Sequence, residues 1–136
     1  MGYGKADFKA RREALGLTQA DVADEADVNL STVKRWERPG GAEPPEDVWA
    51  WIEDCESLQA EVVDAAVSAA VAQGRGPVQI TYYRTQEQYD ALGRDPGPVG
   101  VANANARLVA HRLRSLGYEV DYAYPDDPNS MYHSGR

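Results

Sequence analysis

The feature that most constrains this chain is the punctuation of residues 5–38. Gly16 and Asp27 interrupt a stretch otherwise patterned for helix, cutting it into pieces too short to persist alone. Lys5 to Leu15 has Phe8 and Leu15 apolar and alanine at 6, 10 and 14, which reads as a first helix stopped before Gly16. Thr18 supplies an N-cap for a second helix, with Asp21 at the capping-box spacing. Asp27 is a residue type that tolerates left-handed backbone, so the second helix ends there. Asn29 N-caps a third, Leu30 to about Arg38, which Pro39-Gly40-Gly41 ends. Such pieces are stable only when their apolar faces cover one another. Val22 and Ala23 face inward from the second, Val33 and Trp36 from the third, and Ala26 and Val28 plug the junction.

The outward face of the third helix then holds Ser31, Thr32, Lys34, Arg35 and Arg38, basic and without a carboxylate. Two helices, a short turn and a polar second helix form a helix-turn-helix, which lays that second helix in the major groove of double-stranded DNA. Arginine can bridge guanine O6 and N7 with two hydrogen bonds, worth about 1–3 kcal/mol of discrimination. Arg35 is the residue expected to do so. Ser31 is short and near the start of the helix, within reach of a base or phosphate, whereas Leu30 offers only contact with a thymine methyl or a sugar. Thr32, Lys34 and Arg38 are expected on phosphates, positioning the helix without reading sequence. The competing reading is an ordinary solvated helix face.

A formal net charge of −8 argues against a nucleic-acid partner until it is partitioned. Residues 1–38 carry seven basic and seven acidic side chains, and residues 74–136 carry seven of each. The whole excess lies in residues 39–73, with eight acidic residues and no basic one. The head of the chain is neutral, and its basic residues gather on one face.

The series Leu15-Gly16-Leu17-Thr18-Gln19, Val22-Ala23, Val28-Asn29 and Thr32-Val33-Lys34-Arg35-Trp36-Glu37 resembles the Cro/repressor-like (Xre-type) helix-turn-helix regulators of phages and bacteria. The resemblance implies a phosphate contact from Gln19, base reading by Leu30, Ser31 and Arg35, and a structural ion pair between Arg12 and Glu37. Leu30 departs from the polar residue often found at its position. A narrower likeness runs from residue 6 to about 124. The Arg-Trp-Glu ending, Glu43-Pro44-Pro45-Glu46-Asp47-Val48, Pro77-Val78-Gln79-Ile80-Thr81-Tyr82-Tyr83-Arg84 and Tyr89-Asp90-Ala91-Leu92 are similar to anti-CRISPR-associated repressors. That likeness implies a C-terminal dimerisation domain containing strands, and a homodimer on an inverted repeat.

Beyond the head, Glu43-Pro44-Pro45 opens a fourth helix, with Val48, Trp51, Ile52 and Cys55 forming one apolar stripe. From Val62 to Gln73 nearly every face is apolar, which predicts burial in a core or a subunit interface. Residues 78–83 and 118–124 alternate as strands, and helices are expected over Thr85–Leu92 and Val101–Leu116. Two strands alone do not make a stable sheet, so pairing across a two-fold axis is one expectation and an intrachain core the other. The fold class is therefore mainly α with a small β component. A lambda-repressor-like bundle at 1–56 precedes an α+β dimerisation region at 57–124 and a flexible tail at 125–136.

No catalytic residue, cofactor or metal site is expected. His111 lies beside Arg107 and Arg114 at helical spacing, which more often marks a solvated face than a site, with a second basic patch on DNA as the alternative. His133 has no evident partner, and Gly74-x-Gly76 precedes a strand rather than a helix, so it is not a dinucleotide fingerprint. The chain has one cysteine, no secretory start and no apolar run of membrane length, which reads as a cytoplasmic protein with no membrane association. The function expected is a dimeric autorepressor on an inverted-repeat operator. The alternative is the antitoxin of a toxin–antitoxin pair, autoregulating through the same motif and holding a basic toxin by its acidic middle or tyrosine-rich strands.

Overall fold

The helices form where the punctuation sets them. In the computed structural model, which describes residues 4–130, α1 spans Lys5–Ala14, α2 Gln19–Ala26 and α3 Leu30–Glu37. Thr18 Oγ1 accepts a hydrogen bond from the Asp21 backbone N–H at 3.0 Å, and the Asp21 carboxylate accepts one from the Thr18 N–H at 2.8 Å. Two N–H groups that the helix start leaves unpaired are thereby satisfied. We expect Thr18→Ala to lower the free energy of unfolding by about 1 kcal/mol in urea titrations, because it removes this cap. Asp27 adopts φ 56° and ends α2 in the left-handed region, as its position predicts. Asn29 occupies the N-cap of α3, but its side chain makes no capping bond.

The three helices close over Phe8, which is fully buried with Val22, Val33 and Ile52. Its ring meets Trp36 and Trp49 edge-on, with centroids 6.2 and 5.1 Å away, an arrangement the aromatic quadrupoles favour. Trp49 belongs to α4, Glu46–Ala72, which begins after the prolines rather than at Glu43 because Pro45 serves as N-cap. Arg11 ties α1 to α4, with both Nε and Nη2 donating to Glu56 and Nη1 to Asp7. The hydrogen bond to Glu56, aided by Asp7, raises the pKa of its guanidinium above that of an ordinary arginine.

The strands are β1, Val78–Thr81, and β2, Val120–Ala123, with α5, Gln86–Leu92, and α6, Val99–Ser115, between them. They pair in parallel within the chain, Val78 opposite Val120 and Thr81 opposite Ala123. A parallel pair needs a crossover, and α5 and α6 provide it. Asn103 of α6 ends β1 by mimicking a neighbouring strand. Its side-chain oxygen accepts from the Tyr83 N–H at 3.0 Å, and its amide donates to the Tyr83 carbonyl at 2.8 Å. Val63 and Val67 of α4 pack with Val109 and Leu113 of α6 and with Tyr118, while Val78, Ile80 and Val120 close this second core.

Within the chain, the apolar stretch of α4 beyond Val62 is covered in part. Val63 and Val67 are buried, whereas Leu58, Val62 and Val71 remain exposed, because one side of the helix meets α6 and the other faces open space. The helix is continuous across residues 56–57, so both cores share it. Residues 125–130 of the expected tail are tied down, with Arg84 and Gln88 both donating to Asp126 and Ser130 fully buried. The hydrogen bond from Arg84 holds the Asp126 carboxyl below the usual range. Residues 131–136, including His133, lie outside the described residues.

Candidate nucleic-acid interface

One face of α3 is locked by a buried ion pair, which dictates what the other face presents. Arg12 Nε donates to Glu37 Oε2 at 2.6 Å and Nη2 to Oε1 at 3.0 Å, a bidentate fork. The third arm, Nη1, donates to the Leu17 carbonyl at 2.8 Å. The two side chains are only 8% and 5% exposed. Helix α1 thus holds the end of α3 and the turn before α2 at once. The implied Arg12–Glu37 pair is present, and its contact with Leu17 was not foreseeable, since nothing in residue type marks a backbone acceptor.

With Val33 and Trp36 also buried, Ser31, Lys34 and Arg35 stand outward and solvent-exposed, and Thr32 is half-buried beside them. Arg35 Nη2 lies 3.4 Å from the Thr32 hydroxyl, a long and weak bond that leaves the guanidinium fork presented to solvent. Leu30 is 42% exposed at the start of the helix, an apolar side chain on the rim of a polar face. Lys34 and Arg35 also fall in the last turn, where cations complement the helix dipole.

Two residues sit differently from expectation. Arg38 is not part of α3, which ends at Glu37; it is the C-cap in extended conformation, so its exposed side chain leaves from the following turn. That turn is tight. A Cβ added to Gly41 would lie 2.0 Å from the Arg35 carbonyl oxygen, so only glycine lets the chain fold back there. Gln19, expected on a phosphate, donates from Nε2 to Glu37 Oε1 at 3.1 Å and joins the buried fork. Its amide carries a second N–H. The family resemblance implied a phosphate contact for Gln19, and no local signal linked it to Glu37.

The basic row on α6 divides. Arg107 Nη1 donates to the Tyr82 hydroxyl at 2.7 Å, and Arg114 Nη2 to the Val120 carbonyl at 2.9 Å, so both turn onto the sheet. His111 is exposed. This row lies on a different element from α3, and its Arg107 and Arg114 are engaged by Tyr82 and the Val120 backbone.

Residues 8–48 match the family model described as helix-turn-helix. They include most of α1, all of α2 and α3, and the start of α4, the elements that meet around Phe8. This segment is a helix-turn-helix domain of the Cro/Xre type, the DNA-binding module of transcription regulators. No curated protein matches the chain. No helix among the described residues is long and apolar enough to cross a membrane.

Proposed function

We propose that this chain is a sequence-specific autorepressor, a cytoplasmic homodimer that inserts α3 of each subunit into successive major grooves of an inverted-repeat operator. One observation carries the reading. The buried Arg12–Glu37 fork fixes α3 so that Ser31, Lys34 and Arg35 project together from an exposed, carboxylate-free face. Arg35 reads guanine; Ser31 and Leu30 lie over adjoining bases; Thr32, Lys34 and Arg38 hold phosphates, with Gln19 adding its second N–H. The chain needs no cofactor or metal for this and acts as a binding protein rather than an enzyme.

Dimerisation is assigned to residues 57–124. Its support is a two-stranded sheet with an outer edge on each strand, and large apolar side chains, Val71, Leu108 and Leu116 among them, left exposed on the same region. Two copies related by a two-fold axis would place their α3 helices about one helical turn of DNA apart, ~10 bp or a small multiple.

Selection of bound duplexes from a random pool tests this, with the mass of the complex measured alongside. An inverted repeat bound by two chains is the expected result. Arg35→Ala should then lose about ten- to a hundred-fold in affinity for the selected site and relax preference at one base pair. Lys34→Ala should weaken all duplexes alike and flatten the salt dependence by about one unit of slope. Undiminished specificity in Arg35→Ala would remove it as the reader, and failure to select any sequence would remove the repressor reading. A second reading, an autoregulating antitoxin, is favoured by the exposed acids Glu53, Asp54 and Glu61 on α4. Recovery of the chain with a stoichiometric basic partner would support it.

A further inference from the structure

The α1–α2 turn, α4 and the loop joining α5 to α6 border two adjoining open hollows of about 430 and 720 Å³. They share a ridge of Leu17, Cys55, Leu58 and Val101, and both sizes fall within the range of small-molecule sites, ~300–1,000 Å³. Leu58 is 60% exposed, far more than core packing would leave a leucine, and Val62 beside it is also open. Tyr89 lines the smaller hollow and Trp51 the larger, each giving an aromatic surface.

The rim has one sign of charge. Asp21, Asp24 and Glu25 of α2 border the larger hollow and Asp95 the smaller, while no lysine, arginine or histidine lines either. Among the described residues Asp24, Glu25 and Asp95 form no ion pair. Two groups inside feel these carboxylates. Burial, with Glu25, Asp54 and Glu56, pushes the Cys55 thiol up, and burial, with Asp95 and Asp90, does the same to the Tyr89 hydroxyl. The walls are pinned in advance. Gln86 donates to the Gly97 carbonyl and accepts from the Val99 N–H at 2.9 and 2.7 Å, and Gln59 bridges the Ala14 carbonyl to the Asn105 side chain.

We propose that this hollow is a binding site for a small organic cation with an apolar, aromatic body. An apolar floor lined in part by Trp51 and Tyr89 takes up the aromatic body, and the unpaired carboxylates neutralise the charge. An anion meets four like charges and no counter-charge there. Neither the floor nor the rim overlaps the outward face of α3, so the site is separate from the DNA surface.

Calorimetric titration of the full chain, without DNA, tests this with two ions of one shape and opposite charge, tetraphenylphosphonium and tetraphenylborate. The expected result is saturable one-to-one binding of the phosphonium, at least about ten-fold tighter than the borate. Leu58→Arg, at an exposed position that leaves the core untouched, should weaken the phosphonium by a further factor of about ten. Glu25→Gln combined with Asp95→Asn should bring the two ions to within about three-fold. Thermal melts of the variants verify that they remain folded. Equal affinity for both ions, no binding of the phosphonium, or a preference unmoved by either variant in a folded protein would overturn the proposal. Because no duplex is present, a failed repressor reading would not alter these outcomes.

Discussion

Replacing Glu37 with alanine should cost this protein about 3–5 kcal/mol of stability, seen as a large drop in the urea midpoint at unchanged slope. Arg12 is buried, and two of its three donating nitrogens depend on Glu37. Alanine leaves that guanidinium charged and out of water with the Leu17 carbonyl as its hydrogen-bond partner and the exposed Glu13 carboxylate 3.9 Å away, and removes the acceptor of the Gln19 amide. A buried charge deprived of its partner is costly, whereas removing both partners is much less so. The double change Arg12→Met with Glu37→Leu should therefore recover most of the loss, and the double-mutant cycle should show strong coupling. A loss below about 1 kcal/mol for Glu37→Ala would mean that the pair is no better than an exposed one. Stability of a domain totals about 5–15 kcal/mol, so this one carboxylate decides whether α3 is held in place at working temperature.

The head of the chain was readable because its signals are local. Thr18 and Asp21 are three residues apart, Asp27 announces its own backbone geometry, and the spacing of Val33 and Trp36 settles which face of α3 is hidden. The same locality explains what was misplaced. Whether Gln19 reaches solvent or Glu37 depends on where α1 puts the far end of α3, and no window of sequence contains that distance. Arg38 was placed on the helix face by period alone, although the turn through Gly41 had already pulled the chain out of helix.

The C-terminal half was legible as elements and not as an arrangement. Alternation marked both strands, but a parallel pairing through α5 and α6 is a long-range outcome, set in part by Asn103, whose side chain pairs with the Tyr83 backbone. Composition did not tell which face of α4 the chain itself covers. Alanine and valine on all faces read as a core or a subunit interface; within the chain α6 covers one face, and Leu58 and Val62 border an open hollow. Hydrophobic pattern tells which residues seek cover; only packing tells which of them receive it.

Gly100→Ala supplies the second large effect, and its sign separates two physical arguments. Gly100 lies in the first turn of α6, where alanine is the better helix former by about 0.8–1.0 kcal/mol, so propensity alone predicts a gain. Contact predicts the reverse. A Cβ on Gly100 would sit 2.1 Å from the Gly16 carbonyl oxygen, and one on Gly16 would sit 2.0 Å from the Gly100 oxygen. Both neighbours are backbone, and Gly16 is itself held at φ +80°, so no side chain can swing aside. Either α6 lifts from the α1–α2 turn or the turn deforms, and overpacking of this kind costs about 1–3 kcal/mol. We expect contact to win, lowering the melting temperature by several degrees. Gly76→Ala, where a Cβ meets nothing within 4 Å, should be neutral or slightly stabilising under the same conditions. A Gly100→Ala variant that melts higher than the parent would show that the turn and α6 are not in backbone contact. The helix-turn-helix would then owe its seating to α4 alone, through Phe8, Trp49 and the Arg11–Glu56 pair.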